Sequence, residues 1–586
     1  MGRRGAGGAT WAASIVLSAA IVAPLWSGGH LVYRDAVSTP RSHVTDSALG
    51  LGDLPARAVP QDWAVAVLSH AVDGGLVVVG LLTLALVLTG VGAGRLAQRL
   101  IPAAGTPGAV AAVAVAIWNP VVAERLLQGQ WSLLLGLAAL CWVALAGLEC
   151  RTRGGARSWL RLAAWCAVGA FTPTGGLLVA VVTIAVVVVP TLLARRVRPT
   201  VVSAVVLVIA NLPWLVASLL TTAPTTSDGD AVDLFAARAE PALGTLVTLA
   251  GLGGIWNADA VPGSRTIAWA GVATACLLVV VAAGVPVLVR RRRRIPLVTE
   301  LSLTAVGTVL LCTLAATGPG RSALAHLVDT VPGAGLLRDT SKFVTLAVPI
   351  YALAAAAAVQ LVGRWVPRGA AATVAVLLVI APLPDLAWGV GGDVRTVRYP
   401  ADWSVVAEEV PAGSGDVVTV PTGTNRRYAF TDGVVSLDPA SRVLRVPVLA
   451  GGALVVDGRT VDAPPPDSRA ARADRIVTVG GSADQLARLG VGWVLVEEQA
   501  MPAAAGVVMR PAPGACTVQL PVTGLRCVHE GRDLTLLRVP DPVVVRASTV
   551  DRTTMWAAHL VWLVTIVAGI AAVTRRRLVQ WRGARR

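Results

Sequence analysis

The stretch GLVVVGLLTLALVLTGVGAGRLAQR, residues 75–99, decides the fold class. Its first 19 residues carry no charge, which is about the length that an α-helix needs to cross the hydrocarbon core of a bilayer. Arg95 and Arg99 then close the stretch, as is typical of the cytoplasmic end of such a helix. We therefore predict a membrane-spanning helix at this position.

The composition of the whole chain agrees with this prediction. The 586 residues are 55% hydrophobic and only 14% charged, whereas about a quarter of the residues of a soluble protein are charged. This excludes a water-soluble enzyme, a disordered chain and a coiled coil. Twelve apolar stretches have roughly the length of a span: 10–27, 75–93, 103–123, 131–148, 159–173, 175–193, 200–220, 266–289, 297–316, 343–362, 369–385 and 553–574.

Clustered arginines indicate on which side of the membrane each loop lies. The net charge is +16, and 24 of the 50 basic residues are arginines in short segments on alternate connections. These segments are 3–4, 95–99, 151–161, 195–198, 290–294, 364–368 and 575–586. The positive-inside rule assigns them to the cytoplasm, so both termini are predicted to be cytoplasmic. Short arginine loops without interleaved aromatic residues also argue against nucleic acid as a partner.

The chain divides into three predicted parts. Residues 1–385 form a membrane domain with outer loops at 28–74, 221–265 and 317–342. Residues 386–552 carry 17 basic and 18 acidic residues, as in an ordinary soluble module, and we expect a small extracytoplasmic α/β or α+β domain. Residues 553–586 are predicted to be a last membrane helix with a basic cytoplasmic tail.

Short apolar, β-branched runs predict the strands of the outer domain at 417–420, 476–479, 493–496 and 534–537. Helices are predicted at 402–410 and 482–489. Cys516 and Cys527 lie eleven residues apart in this domain, so they are candidates for a hairpin disulfide in an oxidising compartment, with free thiols as the alternative.

Two motifs carry a resemblance to a known class of enzyme. They are GLLRDTSKF at 335–343 and WNPVVAERLLQGQW at 118–131. With the layout of the membrane region, they resemble GT-C-type glycosyltransferases, which are polytopic enzymes that use polyprenyl-phosphate sugars. Similar elements occur in the actinobacterial α-(1→3)-arabinofuranosyltransferases and in the YfhO-type transferases. The resemblance implies a GT-C-like fold in a bacterial cytoplasmic membrane and transfer of a sugar to a cell-envelope glycan or glycolipid.

The resemblance also implies one catalytic carboxylate soon after the first helix. Asp35 is the best match, and Asp62 is the reserve candidate. As a general base, the carboxylate would take the proton of the acceptor hydroxyl. The alternative is that Asp35 pairs with Arg34 or Arg57 and only organises the loop.

The lipid phosphate of the donor would be held by Arg338 and by Lys342, which is the only lysine in the chain. Charge-assisted hydrogen bonds are the usual means of binding phosphate. Alternatively, these residues anchor the chain at the lipid headgroups, or Arg338 pairs with Asp339.

Three further residues are substrate-binding candidates. Glu124 and Arg125 are ionisable residues close to apolar stretches, where such residues are usually functional, and Trp256 is placed to stack on a sugar. The alternatives are an internal ion pair and an interfacial tryptophan. A pair of adjacent acids found in the first outer loop of some GT-C families is absent here, so the sequence leaves the use of a divalent cation open.

Two other functions stay open from the sequence. A transporter or flippase of lipid-linked sugars would be expected to carry charged residues inside its spans and to show internal repeats, whereas the spans here are almost uncharged and no repeat is evident. A catalytically inactive GT-C-like scaffold of envelope assembly would differ only in lacking activity.

Overall fold

The computed structural model describes residues 3–53, 56–221, 227–451, 453–456, 458–498, 500–502 and 520–583, and within them the chain is mostly helical. In these ranges, ten helices are long and apolar enough to cross a membrane, or eleven if one bent pair counts as a single span. The ten are Gly7–Ser27, Gly74–Leu100, Pro102–Leu127, Leu133–Thr152, Pro173–Leu193, Val197–Leu220, Trp269–Arg291, Val298–Ala315, Ser341–Val362 and Thr549–Ala572. A multi-pass membrane protein is therefore confirmed.

Two of the twelve predicted spans correspond to shorter helices. The stretch 159–173 lies mostly in Ala156–Gly169, of 14 residues, and 369–385 lies mostly in Arg368–Ile380, of 13 residues. At 1.5 Å per residue, each is about 20 Å long, whereas the hydrocarbon core is about 30 Å thick. The second helix also bends by 77° against Pro384–Gly391. The prediction of twelve spans is therefore too high, since ten helices, or eleven with the bent pair, are long and apolar enough to cross a membrane in the described ranges.

Shorter helices connect the spans and cover the outer domain. They are Asp46–Leu49, Gln61–Ser69, Thr245–Ala250, Gly318–Thr330, Asp402–Glu409, Ala440–Val443, Arg469–Val479 and Ala483–Arg488. A break at Trp118 and Asn119 divides the third span into Gly105–Ile117 and Pro120–Leu127. Proline following Asn119 begins the second of these helices, because its fixed φ suits the first helical position. The turn after the second helix contacts the first outer loop, where the Asp35 N–H donates to the Gln128 carbonyl.

Close contacts between small residues hold the membrane helices together. Gly284, in the helix Trp269–Arg291, lies against the backbone of Ala354 in the helix Val348–Val362. A Cβ atom at position 284 would lie only 1.9 Å from the Ala354 carbonyl oxygen. Small residues let membrane helices approach in this way, since apolar burial alone gives little driving force within lipid.

The outer domain is built on a mixed four-stranded sheet. Its strands, in spatial order, are Arg526–Glu530, Leu534–Arg538, Val491–Glu497 and Asp416–Val420. Only the last pair is parallel. The remaining strands are His30–Tyr33, Ala36–Val37, Thr396–Val397, Asn425–Tyr428, Val435–Leu437, Leu454–Val456, Arg459–Val461, Gly481–Ser482, Ala500–Pro502 and Val522–Thr523. The predicted strands at 417–420, 493–496 and 534–537 are confirmed, as are the helices near 402–410 and 482–489.

The predicted strand at 476–479 is wrong. These residues form the last turn of the helix Arg469–Val479, whose buried side chains are Ala470, Ala473 and Val477. Burial at intervals of three and four residues is the pattern of one helix face. The β-branched run at 476–479 is typical of a strand, and it is too short to show the spacing of three and four residues that identifies the helix.

Strands from distant parts of the chain join the first outer loop to the outer domain. His30–Tyr33 pairs with Ala36–Val37 and also with Thr396–Val397. The backbone of Arg34, just beyond this strand, is bonded on both sides to the strand Val435–Leu437. The outer domain therefore packs directly on the loop that contains Asp35.

We expect Gly284→Ala to lower the free energy of unfolding by about 1–3 kcal/mol, because the added methyl group overpacks the helix contact. Gly307→Ala is the matched control, since among the described residues no atom lies within 4 Å of its added Cβ. Thermal unfolding in detergent should show a lower Tm for the first variant alone. Equal Tm values for the two variants would contradict the close helix contact.

Candidate functional site

A cavity of about 2810 Å³ lies between the membrane helices and the outer domain. Its walls come from the first outer loop, the turn at 128–133, the segment 331–339 and described outer-domain residues between Thr424 and Ala470. Five residues that the sequence singled out line this one cavity: Asp35, Asp62, Trp256, Arg338 and Lys342. A carboxylate and the cationic residues of the predicted phosphate site therefore share one space.

Asp35 is positioned by backbone bonds on both sides. Arg34 adopts a left-handed conformation, with φ of 49°. Its N–H donates to the Val435 carbonyl at 2.7 Å, and its own carbonyl accepts from the Leu437 N–H at 2.9 Å. The Asp35 N–H donates to the Gln128 carbonyl at 3.2 Å. The peptide that carries the carboxylate is thus held between the outer domain and the membrane region.

Two side-chain amides face the Asp35 carboxylate. The Nε2 atoms of Gln128 and Gln130 donate to Asp35 Oδ2 over 3.4 and 3.3 Å. Burial raises the pKa of Asp35 above its ordinary value, although these amides and the charges of Arg34 and Arg125 act in the opposite direction. A raised pKa brings the carboxylate closer to the range in which a general base works best at neutral pH.

Gly129 makes this close approach possible. It has a φ of 79°, which glycine adopts without steric penalty. A Cβ atom at this position would lie 2.4 Å from the Ala36 nitrogen and 2.7 Å from the Asp35 nitrogen. The first outer loop therefore rests directly on the turn between Gln128 and Gln130.

Arg125 joins this turn to the segment that carries Arg338 and Lys342. Its Nη1 donates to Gln130 Oε1 at 2.9 Å and to Asp339 Oδ2 at 2.8 Å, and its Nη2 donates to Ser341 Oγ at 2.8 Å. Arg125 is only 1% exposed. Burial alone would raise the pKa of Asp339, but the charges of Arg125 and Lys342 outweigh it and hold that pKa below its ordinary value.

Arg338 is bound by a carboxylate that the sequence did not suggest. Asp462 of the outer domain accepts from both terminal nitrogens of Arg338, at 2.9 and 2.7 Å. The predicted alternative pairing with Asp339 is therefore wrong, since Asp339 binds Arg125. Within the described part of the chain, Lys342 forms no ion pair, and its ammonium lies 5.7 Å from the centre of the Phe343 ring.

Arg34 and Arg57 do not pair with Asp35. The Arg34 guanidinium donates to the Asp259 carbonyl at 2.7 Å, and Arg57 donates to Asp462 at 2.7 Å. The alternative that Asp35 only forms an ion pair with one of these arginines is therefore wrong.

The reserve carboxylate lies in the same cavity but has a different environment. Asp62 accepts from Arg442 of the outer domain over 3.3 and 3.4 Å. Trp256 lines the cavity and packs edge-on against Phe235, with ring centres 4.6 Å apart. Its neighbour Asn257 donates to Gln128 Oε1 at 2.8 Å, so Trp256 is tied to the turn beside Asp35.

Glu124 and Arg125 lie behind the cavity wall and are not among the residues that line it. Glu124 is 1% exposed and accepts from the Gly254 N–H at 2.9 Å. The prediction that these residues contact substrate is therefore corrected: both side chains make their polar contacts within the protein, because polar groups this deeply buried need polar partners. Their role is to position the residues that face the cavity.

The structure bears on the predicted disulfide and on the open question of a divalent cation. Cys527 is disulfide-bonded, and Cys516 lies outside the described residues. No group of three or more histidine, cysteine, aspartate or glutamate side chains in the described ranges is arranged to hold a metal ion.

The sequence analysis missed Gln128, Gln130 and Asp462. Both glutamines stand in the quoted motif at 118–131, and a turn placed between two apolar segments was a signal for polar residues at a cavity. Asp462 had no local signal, because 124 positions separate it from Arg338. Comparisons of the chain with protein-family models, curated proteins and solved structures gave no match.

We expect Arg125→Met to lower the free energy of unfolding by about 3–5 kcal/mol, because it leaves a buried carboxylate at Asp339 without its cation. Arg321→Met is the control, since Arg321 pairs with Asp233 at the surface over 2.9 Å, where an ion pair contributes up to about 1 kcal/mol. Thermal unfolding in detergent measures both. Equal losses would argue against Arg125 as the centre of the site.

Proposed function

We propose that this protein is a membrane glycosyltransferase that moves a sugar from a polyprenyl-phosphate donor to a glycan or glycolipid of the cell envelope. The observation that carries the proposal is the shared cavity: the Asp35 carboxylate lines the same space as Arg338 and Lys342. A base for the acceptor and cations for the leaving group are the two requirements of this reaction. The resemblance of the motifs at 118–131 and 335–343 to GT-C-type enzymes supports the same activity.

The proposed site lies on the outer side of a bacterial cytoplasmic membrane. The arginine clusters support this orientation, because basic loops are retained in the cytoplasm. In this arrangement both termini are cytoplasmic, and residues 386–552 are extracytoplasmic. A lipid-linked donor then presents its sugar at the outer face, where the acceptor is found.

In the proposed reaction Asp35 acts as the general base. It removes the proton from the acceptor hydroxyl while the hydroxyl oxygen forms a bond to the anomeric carbon of the donor sugar. The bond between that carbon and the phosphate oxygen breaks, and polyprenyl phosphate leaves with the electron pair. The amides of Gln128 and Gln130 hold the carboxylate towards the cavity, which fixes the direction of proton transfer.

Arg338 and Lys342 stabilise the leaving phosphate in this proposal. Negative charge grows on the phosphate as the glycosidic bond breaks, and preorganised cations lower the energy of that transition state. Lys342 suits this role because, among the described residues, it forms no ion pair with a carboxylate. Arg125 and Asp339 support it from behind by fixing the start of its helix.

The outer domain contributes the acceptor side of the proposed site. On the outer-domain side the cavity is lined by Thr424, Asn425, Arg427, Asp432, Gly433, Val434, Val435, Ser441, Arg442 and the segment 447–451. Trp256 also lines the cavity, and a tryptophan ring is suited to stack on a sugar ring.

Asp35→Asn should lower the rate of sugar transfer at least about 100-fold, since positioned general bases contribute about 10²–10⁴-fold. Tm near pH 7 should stay equal or rise. Burial raises the pKa of Asp35 in the folded protein, so ionisation opposes folding as the pH rises from the unfolded-state pKa through the folded-state pKa. The assay incubates membranes with a labelled polyprenyl-phosphate sugar and measures labelled product.

Asp233→Asn is the control, because Asp233 pairs with Arg321 at the surface and should leave transfer unchanged. Loss of transfer in Asp62→Asn with full activity in Asp35→Asn would assign the base to Asp62. Movement of labelled lipid across the membrane without any glycosylated product would favour a transporter.

A further inference from the structure

The Asp462 carboxylate lies between two arginines, Arg57 and Arg338, and binds both. Asp462 follows the hairpin formed by the strands Leu454–Val456 and Arg459–Val461. Its Oδ1 accepts from Arg338 Nη1 at 2.9 Å, and its Oδ2 accepts from Arg338 Nη2 and Arg57 Nη2, both at 2.7 Å. Two arginines of the membrane region thus hold one carboxylate of the outer domain.

This arrangement has the geometry of an anion site. Both terminal nitrogens of Arg338 bind the two carboxylate oxygens in parallel, and the same fork accepts two oxygens of a phosphate group. The Arg338 guanidinium lies 4.3 Å from the centre of the Phe235 ring, which fixes its plane. All three charged partners line the cavity that also contains Asp35 and Lys342.

Asp462 cannot leave this site by taking up a proton. Burial would raise the pKa of its carboxyl, but the hydrogen bond and charge of Arg338 and the charge of Arg57 lower that pKa to about 2. The carboxylate therefore stays ionised at any pH that the cell experiences. Only a competing anion can take its place at the two arginines.

The hairpin before Asp462 also covers aromatic residues of the cavity wall. Val461 is buried in one apolar cluster with Ala231 and Phe235, and Trp256 packs against the same cluster. Displacement of Asp462 would free the hairpin from this cluster and expose the rings of Phe235 and Trp256. Anion binding at Arg338 would in this way control access to Trp256, the residue that is suited to bind a sugar.

We propose that Arg57 and Arg338 form a phosphate-binding pair, and that Asp462 fills it as an internal substitute until the phosphate of a lipid ligand displaces it. This inference rests on the proposed function for the identity of the ligand, a polyprenyl phosphate or its glycosyl ester. It adds Arg57 to the binding site and makes the outer-domain hairpin a gate that opens when a phosphorylated lipid arrives.

Removal of the Asp462 charge should strengthen phosphate binding. Asp462→Asn keeps the shape of the side chain, and farnesyl phosphate in detergent is the probe, titrated by calorimetry against the full chain. We expect the apparent Kd to fall by at least about tenfold, because a site filled by an internal competitor is available only for a fraction of the time. Arg57→Gln should raise the Kd by about tenfold.

Asp53→Asn is the matched control. Asp53 also joins the first outer loop to the outer domain, by an ion pair of 2.9 Å with Arg469, but it does not contact Arg57 or Arg338. Its Kd should equal that of the unchanged protein. An equal gain in affinity in Asp53→Asn and Asp462→Asn would overturn the proposal, because general loosening of the domain contact would then explain both.

A second measurement uses the unchanged protein and needs no folded variant. Hydrogen exchange of the amides at 459–462 should speed up when farnesyl phosphate saturates the site. Unchanged exchange, or an unchanged Kd in a folded Asp462→Asn protein, would show that the Asp462 ion pairs are purely structural.

Inorganic phosphate separates this inference from the proposed function. If Asp462→Asn binds inorganic phosphate and farnesyl phosphate more tightly, both stand. If inorganic phosphate alone binds, the anion pair stands and the lipid-linked donor fails. If farnesyl phosphate binds the unchanged protein and Asp462→Asn equally well, the donor site stands and the role of Asp462 as a substitute fails.

Discussion

The Arg125 guanidinium, buried at the end of a broken membrane helix, is the interaction on which the site depends. A guanidinium removed from water must have hydrogen-bonding partners, and Arg125 finds them in Gln130, Asp339 and Ser341. The first partner lies in the turn that faces Asp35, and the other two lie at the N-terminal end of the helix of Lys342. One buried cation therefore sets the distance between the proposed base and the proposed phosphate site.

The outer domain contributes contacts that hold the residues of the site in place. Its strand Val435–Leu437 holds both backbone groups of Arg34, the residue before Asp35. Its Asp462 holds Arg57 and Arg338. In the proposed function the glycosyl donor remains in the membrane and its acceptor lies outside, so a cavity between the two domains is where both substrates would meet. A cleft at the junction of two domains is also the common position for a binding site.

The predictions made from local sequence were confirmed where they concerned one helix or one strand at a time. Ten of the twelve apolar stretches form helices of membrane length, and the strands around 417–420 and 493–496 lie in the central sheet. The stretches that form the short helices Ala156–Gly169 and Arg368–Ile380 were predicted as full spans, because hydropathy measures apolar content and gives no information about where a helix stops. The helical turn at 476–479 was predicted as a strand, because its β-branched residues were considered apart from the two helical turns that precede them.

The site could be predicted only in part, since its contacts join distant positions. Arg338 and Lys342 came from the motif at 335–343, and Asp35 came from its position soon after the first helix. All three line one cavity, but Arg125 was assigned to substrate and is buried behind the wall. Its pairing with Asp339 crosses 214 positions. Chemistry alone says that such a charge needs a partner; which partner it finds is decided by the packing of helices that are far apart in the chain.

The most direct test of this account is the structure of the protein with a polyprenyl phosphonate analogue of the donor, determined by cryo-electron microscopy. We predict the phosphonate within hydrogen-bonding distance of Arg338 and Lys342, and the sugar directed towards Asp35. A phosphonate bound outside the cavity, or a sugar that points away from Asp35, would contradict the account.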